Sequence, residues 1–368
     1  MPITITPTNI HQSINDFRLS LTTGVPITTS DVVAATTIYC TPYSGNQISL
    51  YDGAQWNVIS SAQFSLALGT LTNVTMYDVF CYNNSGVPTL EFLAWTNVTT
   101  RATALVYQNG ILSKTGALTR RYMGTFYNPG QQNATATMTI AAPCVVTYTA
   151  HGLSANAPVV FTTSGALPTG IVSGTTYYVA ATGMVQANTF NISATPGGAV
   201  ITTSGSQSGT HTCTIGTYTE DSVLNRYLFN YNNRMPRLMY RSESSADYTY
   251  STATRRQANA NILNQLNYIC GVAEELICAE LNVRMSNGTA GSTIQVGIGL
   301  DVVNADVNAI DAICHVEQPV ANHTLKLIAT YTNNITLGKH FLSWIEYTNG
   351  GTSTWAAILS GIKGILHS

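Results

Sequence analysis

Residues 218–241 read YTEDSVLNRYLFNYNNRMPRLMYR, and this stretch joins everything before it to the C-terminal third of the chain. Four of the chain's fifteen basic residues fall in it, Arg226, Arg234, Arg237 and Arg241, all of them arginine. They are interleaved with Tyr227, Phe229, Tyr231 and Tyr240. Planar guanidinium groups stack on aromatic faces and bond carboxylates two at a time, so the stretch has the composition of a docking element. Arg226, Tyr227, Phe229, Tyr231, Arg234 and Arg237 are its candidate subunit contacts. Its local structure has two readings. A short helix capped by Thr219 or Asp221 would place Val223, Leu224, Tyr227, Leu228 and Tyr231 on one face. A strand would align Tyr227, Phe229 and Tyr231 instead. The sequence leaves that choice open, and equally whether the arginines face another subunit or pair internally with Glu220, Asp221 and Glu243.

The rest of the chain favours strands. Only 9% of its 368 residues are Asp, Glu, Lys or Arg, against about 25% in a typical soluble domain. Polar positions are filled by Thr, Ser, Asn and Gln, which suit strands and turns better than helix interiors. The length allows two or three domains with cores of their own. A net charge of -2 without a basic block lacks the electrostatic footprint of a phosphate-tracking protein, so nucleic-acid binding is not expected. The start, MPITITPTNI, has neither a basic region nor an apolar run, and Trp355 to Ile362 is too short to span a bilayer. The expectation is a soluble chain without a cleaved leader or membrane insertion.

Hairpin chemistry marks Leu19 to Tyr127. Ile48 and Leu50 alternate, Asp52-Gly53 turns the chain, and Trp56 and Val58 alternate again. Tyr77, Val79 and Cys81 share a face, Asn83 to Gly86 turns, and Leu90 and Phe92 return. Thr99 to Tyr107 reads as one short helix with Ala102, Leu105 and Val106 on a face, closing one end of the sheet core, although Asn109-Gly110 suits a hairpin turn as well as a helix cap. Between NPGQQN and GSQSGTH lies a segment almost without charge. It reads as an inserted sandwich or barrel with strands at Val145 to Thr149, Val159 to Thr163, Tyr177 to Ala181, Thr189 to Ser193 and Val200 to Thr203. If its ends lie side by side, a Cys144–Cys213 disulfide becomes geometrically possible. Beyond it, Tyr248 to Thr254, Leu266 to Val272, Leu276 to Arg284, Thr293 to Gly299, Thr324 to Tyr331 and His340 to Tyr347 read as strands, with a helical interlude at Asp306 to Cys314. The fold class expected is all-β: a small N-terminal β domain (1–128), an inserted β module (129–216) and a C-terminal antiparallel jelly-roll-like sandwich (217–368).

Catalytic signals are weak. Gly297-Ile-Gly299 is not continued as GxGxxG and reads as strand glycine at a close contact. Asp301, Asp306 and Asp311 fit no calcium loop. The seven histidines form no HxH or HExxH pair, the seven cysteines no CxxC, and no GxSxG elbow is present. Glu274, Glu275 and Glu280 have no diagnostic spacing for glycoside cleavage. The eight N-x-S/T triplets are what a chain rich in Asn and Thr produces by chance. No enzyme activity, cofactor or metal is expected. Trp344, Tyr347 and Trp355 cluster near the C-terminus and are the candidate glycan contacts, since aromatic faces stack on sugar rings; core or subunit packing is the competing reading.

Several runs resemble a family of tailed-bacteriophage virion proteins labelled structural or fibre-like. These are LTTGVPITTSDV (21–32), TTIYCTPYSGNQISLYDGAQWN (36–57), YDVFCYNNSGVPTLEFLAWTN (77–97), LTRRYMGTF (118–126), TEDSVLNRYLFNYNNRMPR (219–237) and GKHFLSWIEY (338–347). In simpler relatives the run ending here at Phe126 continues almost directly into the counterpart of Glu220-Asp221-Ser222, which implies that residues 130–215 are an added module. That module, from PCVVTYTAHGLSANAPVVFTT (143–163) to TPGGAVITTSGSQSGTHTC (195–213), resembles one that recurs in phage tail and appendage proteins. The resemblance implies a head or tail fibre or spike subunit located on the virion and assembled in the host cytoplasm. It further implies a trimer that contacts other virion proteins and a host surface glycan or protein. The alternative is a capsid-decoration or tail-adaptor protein with no receptor role. A polysaccharide-degrading spike is disfavoured by the lack of a long β-helix repeat.

Overall fold

The computed structural model describes residues 13–130, 134–149, 151, 153, 155–182, 188–243, 246–306 and 312–368. The chain is all-β: among the described residues the helical elements are two short 3₁₀ turns, Ala258–Ala260 and Ala357–Leu359. It divides into two compact units, Met1–Asp221 and Ser222–Ser368.

In the first unit, Thr75–Asn84 pairs on one side with Val87–Ala94 and on the other with Ala117–Asn128. The Ser85-Gly86 turn between the first two has positive φ at both residues, as a tight hairpin requires. The hairpin read at Ile48 is present as Gln47–Tyr51 against Trp56–Ser60. Thr99 to Tyr107 is not a helix. Leu105–Gln108 pairs with Ile111–Lys114 around Asn109-Gly110, whose φ values of 52° and 84° select the hairpin. Arg101 is drawn out of any helical register because its Nε bonds Asp78 Oδ2 at 2.7 Å, while its guanidinium lies 4.7 Å from the Trp95 ring. Asp78 is almost fully buried and also accepts the Thr125 hydroxyl at 2.8 Å; burial raises its pKa.

The insert is a closed six-stranded barrel. Around the wall come Ala134–Met138, Val145–Thr147, Thr189–Ser193, Thr176–Val179, Pro158–Thr163 and His211–Ile215, all antiparallel, the last pairing back to the first. Val146, Phe161, Phe190, Ile192 and Val179 fill the interior. The expected Val200 to Thr203 strand is absent: Ile201 exchanges isolated backbone bonds with Ile192 and Cys144. Cys144 and Cys213 are free thiols, and burial pushes Cys213 up to about 12. The bridge that the sequence left open is not formed, and the reason is height. Cys213 sits opposite Ala134, whereas Val146 sits opposite Met138 and Cys144 lies two residues further along, roughly 20 Å up the wall at about 3.3 Å per residue.

The two ends of the insert do lie together. Gly130 is so close to Gly216 that an added Cβ would sit 2.9 Å from the Gly216 carbonyl oxygen, and the Tyr218 N–H bonds Asn128 Oδ1 at 3.3 Å. Replacing residues 131–215 by two glycines is therefore expected to leave a folded N-terminal sheet. The check is circular dichroism and thermal melting; loss of the sheet signal would show that the barrel is structurally required.

Among the described residues of the second unit, beyond the short strands Asn225–Arg226 and Leu228–Asn230, there are eight courses of strand, some broken in two. In chain order they are Pro236–Ser242 with Tyr248–Tyr250, Arg256–Gln257 with Gln265–Cys270, Leu276–Asn287, Thr293–Leu300, Ile313–Glu317, Leu325–Asn334, Gly338–Thr348, and Ser353–Trp355 with Gly361–His367. The first pairs with the eighth, the second with the seventh, the third with the sixth and the fourth with the fifth, always antiparallel. Cross-pairings of the third with the eighth and the fourth with the seventh complete sheets ordered 1-8-3-6 and 2-7-4-5. One long antiparallel ribbon rolled over itself in this way is a jelly roll. Leu281, Val283, Leu327 and Ile362 from one sheet meet Val296, Ile298, Leu342 and Trp344 from the other in a single core. Of the expected helical interlude, residues 307–311 lie outside the described residues, and Cys314 is in a strand. Residues 218–241 form neither a single helix nor one strand but short pieces, the longest beginning at Pro236. Gly299 faces backbone: an added Cβ would meet the carbonyl oxygens of Val302 and Ala305 at 2.8 and 2.7 Å.

Asp301, just after the fourth course, accepts from His340 Nδ1–H at 2.7 Å and from the Phe341 N–H at 2.8 Å. Burial alone would raise its pKa; the bonds from His340 and Phe341 outweigh that and hold it below the ordinary carboxylate value. A lowered folded pKa means stability present above the unfolded value of about 3.9 and lost as pH falls through the folded one. Asp301→Asn is expected to melt earlier than the wild type at neutral pH and together with it at roughly pH 2. A deficit that stays constant across thermal melts in that range would contradict this.

Candidate functional site

Most of the arginine and aromatic stretch is internal. Arg226, Tyr227, Phe229 and Arg237 are buried. Arg226 donates to the Leu238 carbonyl at 2.5 Å. Arg234 and Tyr231 are half-buried. The Arg234 guanidinium bonds Glu274 at 2.7 Å and Glu275 at 3.1 Å, and lies 5.7 and 5.6 Å from the rings of Phe229 and Tyr231. The planar stacking and carboxylate bonding read from the composition is thus used inside one unit. The acidic partners of Arg234 are Glu274 and Glu275, whereas Arg241 lies within electrostatic reach of Glu243, one of the sequence neighbours. Arg241, also buried, donates from Nε to Asn264 Oδ1 at 3.0 Å.

The glycan reading of Trp344 and Trp355 is corrected by burial: both are 0% exposed and belong to the jelly-roll core. Trp355 stacks on Tyr248 with ring centroids 6.4 Å apart. Tyr347 is half-buried with the Arg255 guanidinium 5.2 Å from its ring. Neither tryptophan offers an open face to a sugar.

The surface that composition did not reveal is the outer face of the 1-8-3-6 sheet. Leu238 pairs with Ile365, Ile365 with Cys278 and Cys278 with Thr332, so these four make one row across the sheet. Leu238, Ile365, Leu276, Ile328 and Tyr240 are each about half exposed on this face. Tyr240, Lys363 and Glu280 form the next row, with Lys363 Nζ 3.1 Å from Glu280. The break in the eighth course adds a tip: the 3₁₀ turn Ala357–Leu359 pushes Ile358 and Leu359 into solvent. Beside it lies an open depression of about 400 Å³ bordered by Asp247, Arg284, Ser286 and Thr324. The sequence signal was available in LICAELNVRM, where Leu276 and Cys278 carry apolar character onto the parity opposite Ile277, Ala279, Leu281 and Val283.

No family model matches the chain. No curated protein matches it either. Among solved structures, the infectious bursal disease virus VP2 subviral particle is 8% identical, over 81% of this chain and 70% of that one, at TM-score 0.27. The Eiger TNF from S. frugiperda is 8% identical over 37% of this chain and 92% of that one, at 0.24. A Bacillus thuringiensis Cry1Da tryptic core variant is 8% identical over 81% and 53%, at 0.23. At TM-scores this low they carry no argument about fold or function. Among the described residues no cluster of three metal-ligating side chains occurs, and no helix is long and apolar enough to cross a membrane.

Proposed function

We propose that the chain is a bacteriophage virion structural protein, a head or tail fibre or spike subunit that takes part in host-surface attachment. The observation that carries this reading is the series of six resembling segments spread between residue 21 and residue 347, on both sides of the barrel. An all-β chain of low charge also suits a particle exposed to varying salt, because little of its stability would depend on screened surface ion pairs. Other virion proteins are the partners, with the apolar sheet face of the C-terminal unit the contact surface. A host glycan or protein would have to be met by exposed residues and not by Trp344 or Trp355.

The test is proteomic and functional. Mass spectrometry of gradient-purified phage particles from the source host is expected to find the chain at structural copy number, and antibodies to it to label the particle and block adsorption. Labelling without any block would favour capsid decoration or a tail adaptor. Absence from the particle would end the virion reading.

A further inference from the structure

The jelly roll treats its two flanks differently. On the flank of the first and second courses, chain from the same unit covers the edges: the Tyr240 N–H donates to the Val223 carbonyl at 2.8 Å, and Asn225–Arg226 pairs in parallel with Asn267 and Tyr268. On the opposite flank, the sixth course, Leu325–Asn334, is joined to Leu276–Asn287 through ten consecutive residue pairs without a register shift. Among the described residues no strand pairs with its outer side. An edge of this kind presents a row of unpaired N–H and C=O groups, and proteins that stay monomeric blunt it with proline, a bulge, charges or brevity. The sequence LKLIATYTNN has ten residues, no proline, no bulge and one charge, Lys326 near its start.

We propose that this edge pairs with the same strand of a second copy, antiparallel about a two-fold axis, to make one continuous sheet across two chains. Side-chain alternation restricts the register. Leu327, Ala329 and Tyr331 point to the core while Lys326, Ile328, Thr330 and Thr332 point outward, so only pairings that oppose like faces keep both cores closed. Pairing centred on Ala329 does so with nearly full overlap. It sets Leu327 opposite Tyr331, Ile328 opposite Thr330 and Lys326 opposite Thr332, so the two lysines never face each other. A self-complementary edge closes on a second copy without needing any other sequence. In this register the row Leu238, Ile365, Cys278 and Thr332 continues into Lys326 and Arg284 of the second copy. This inference does not rest on the virion reading, and it predicts an even number of chains where the family resemblance implies three.

Light scattering on the purified full chain tests it. The wild type is expected at about twice the 39.3 kDa of one chain. The I328K/T330K variant sets lysine against lysine twice across the two-fold and is expected at the mass of one chain, with melting of each unit unchanged. The I328K/T330E variant sets lysine against glutamate twice and is expected back at two chains. The last variant separates loss of pairing from loss of folding. A single-chain wild type overturns the proposal. So does a three-chain or other mass that both variants leave unaltered, and so does failure of the lysine–glutamate variant to pair while folded.

Discussion

Glu346→Ala is expected to destabilise the C-terminal unit by about 3–5 kcal/mol, the range for breaking a buried charge pair from one side. Glu346 is 0% exposed. Its Oε1 accepts Arg256 Nε–H at 2.7 Å and the Asn259 N–H at 3.1 Å, and its Oε2 accepts the Tyr248 hydroxyl at 2.7 Å. One carboxylate thus ties the first, second and seventh courses and the 3₁₀ turn at Asn259, whose φ of 54° is held by that bond. Alanine leaves a cation, a phenol and a strained N–H with no acceptor at the closed end of the core. Urea unfolding followed by tryptophan fluorescence measures the loss, and a value under about 1 kcal/mol would show that water replaces the carboxylate. Glu346→Gln sharpens the test through pH. Burial raises the pKa of Glu346 despite its bonds to Tyr248 and Arg256. A raised folded pKa gives a contribution fully present below the unfolded value of about 4.3 and lost as pH rises through the folded value. The glutamine variant, which does not titrate, is therefore expected to gain on the wild type as pH is raised from acid to neutral.

The strands of both units were legible where apolar residues alternate cleanly, as in Thr293–Leu300, whose Ile294, Val296 and Ile298 enter the core. The barrel wall was legible only in part. Ala134–Met138 and His211–Ile215 close it, but ATATM and HTCTI carry so little hydrophobic contrast that no period stands out. The Thr99 to Tyr107 misreading has a local cause: Ala102, Leu105 and Val106 have helical spacing, and the force that overrides it is Arg101 reaching Asp78, a contact 23 residues away. In the docking stretch, Arg226, Tyr227, Phe229 and Arg237 are buried, and contacts there run on a longer scale. Arg234 finds Glu274 forty residues later, which no local pattern announces. Pairing over such distances is set when the ribbon of courses rolls up, so the composition identified the chemistry but not who would use it.

Trp344→Ala is expected to cost about 3–5 kcal/mol, the range for deleting a large buried aromatic ring, and to lower the melting temperature of the C-terminal unit by roughly 10 °C. Trp344 lies on the seventh course opposite Ile298, on the core side of a strand that has neighbours on both edges. Two residues on, Glu346 occupies the same face at the end of that core, so the two substitutions probe the apolar and the polar part of one packed layer. They are near enough to couple, and the double variant is expected to lose less than the sum of the two. The choice of Trp344 also decides between the two readings of the aromatic cluster. A sugar-stacking tryptophan at a surface would cost binding and leave melting almost unchanged, whereas a ring filling the space between two sheets costs stability first. Tyr347→Ala supplies the contrast. Its ring is half-buried, with the Arg255 guanidinium 5.2 Å away, so the substitution is expected to cost no more than about 1 kcal/mol. If Trp344→Ala melted like the wild type, the sheets would have to pack without it and the assignment of this core would be wrong.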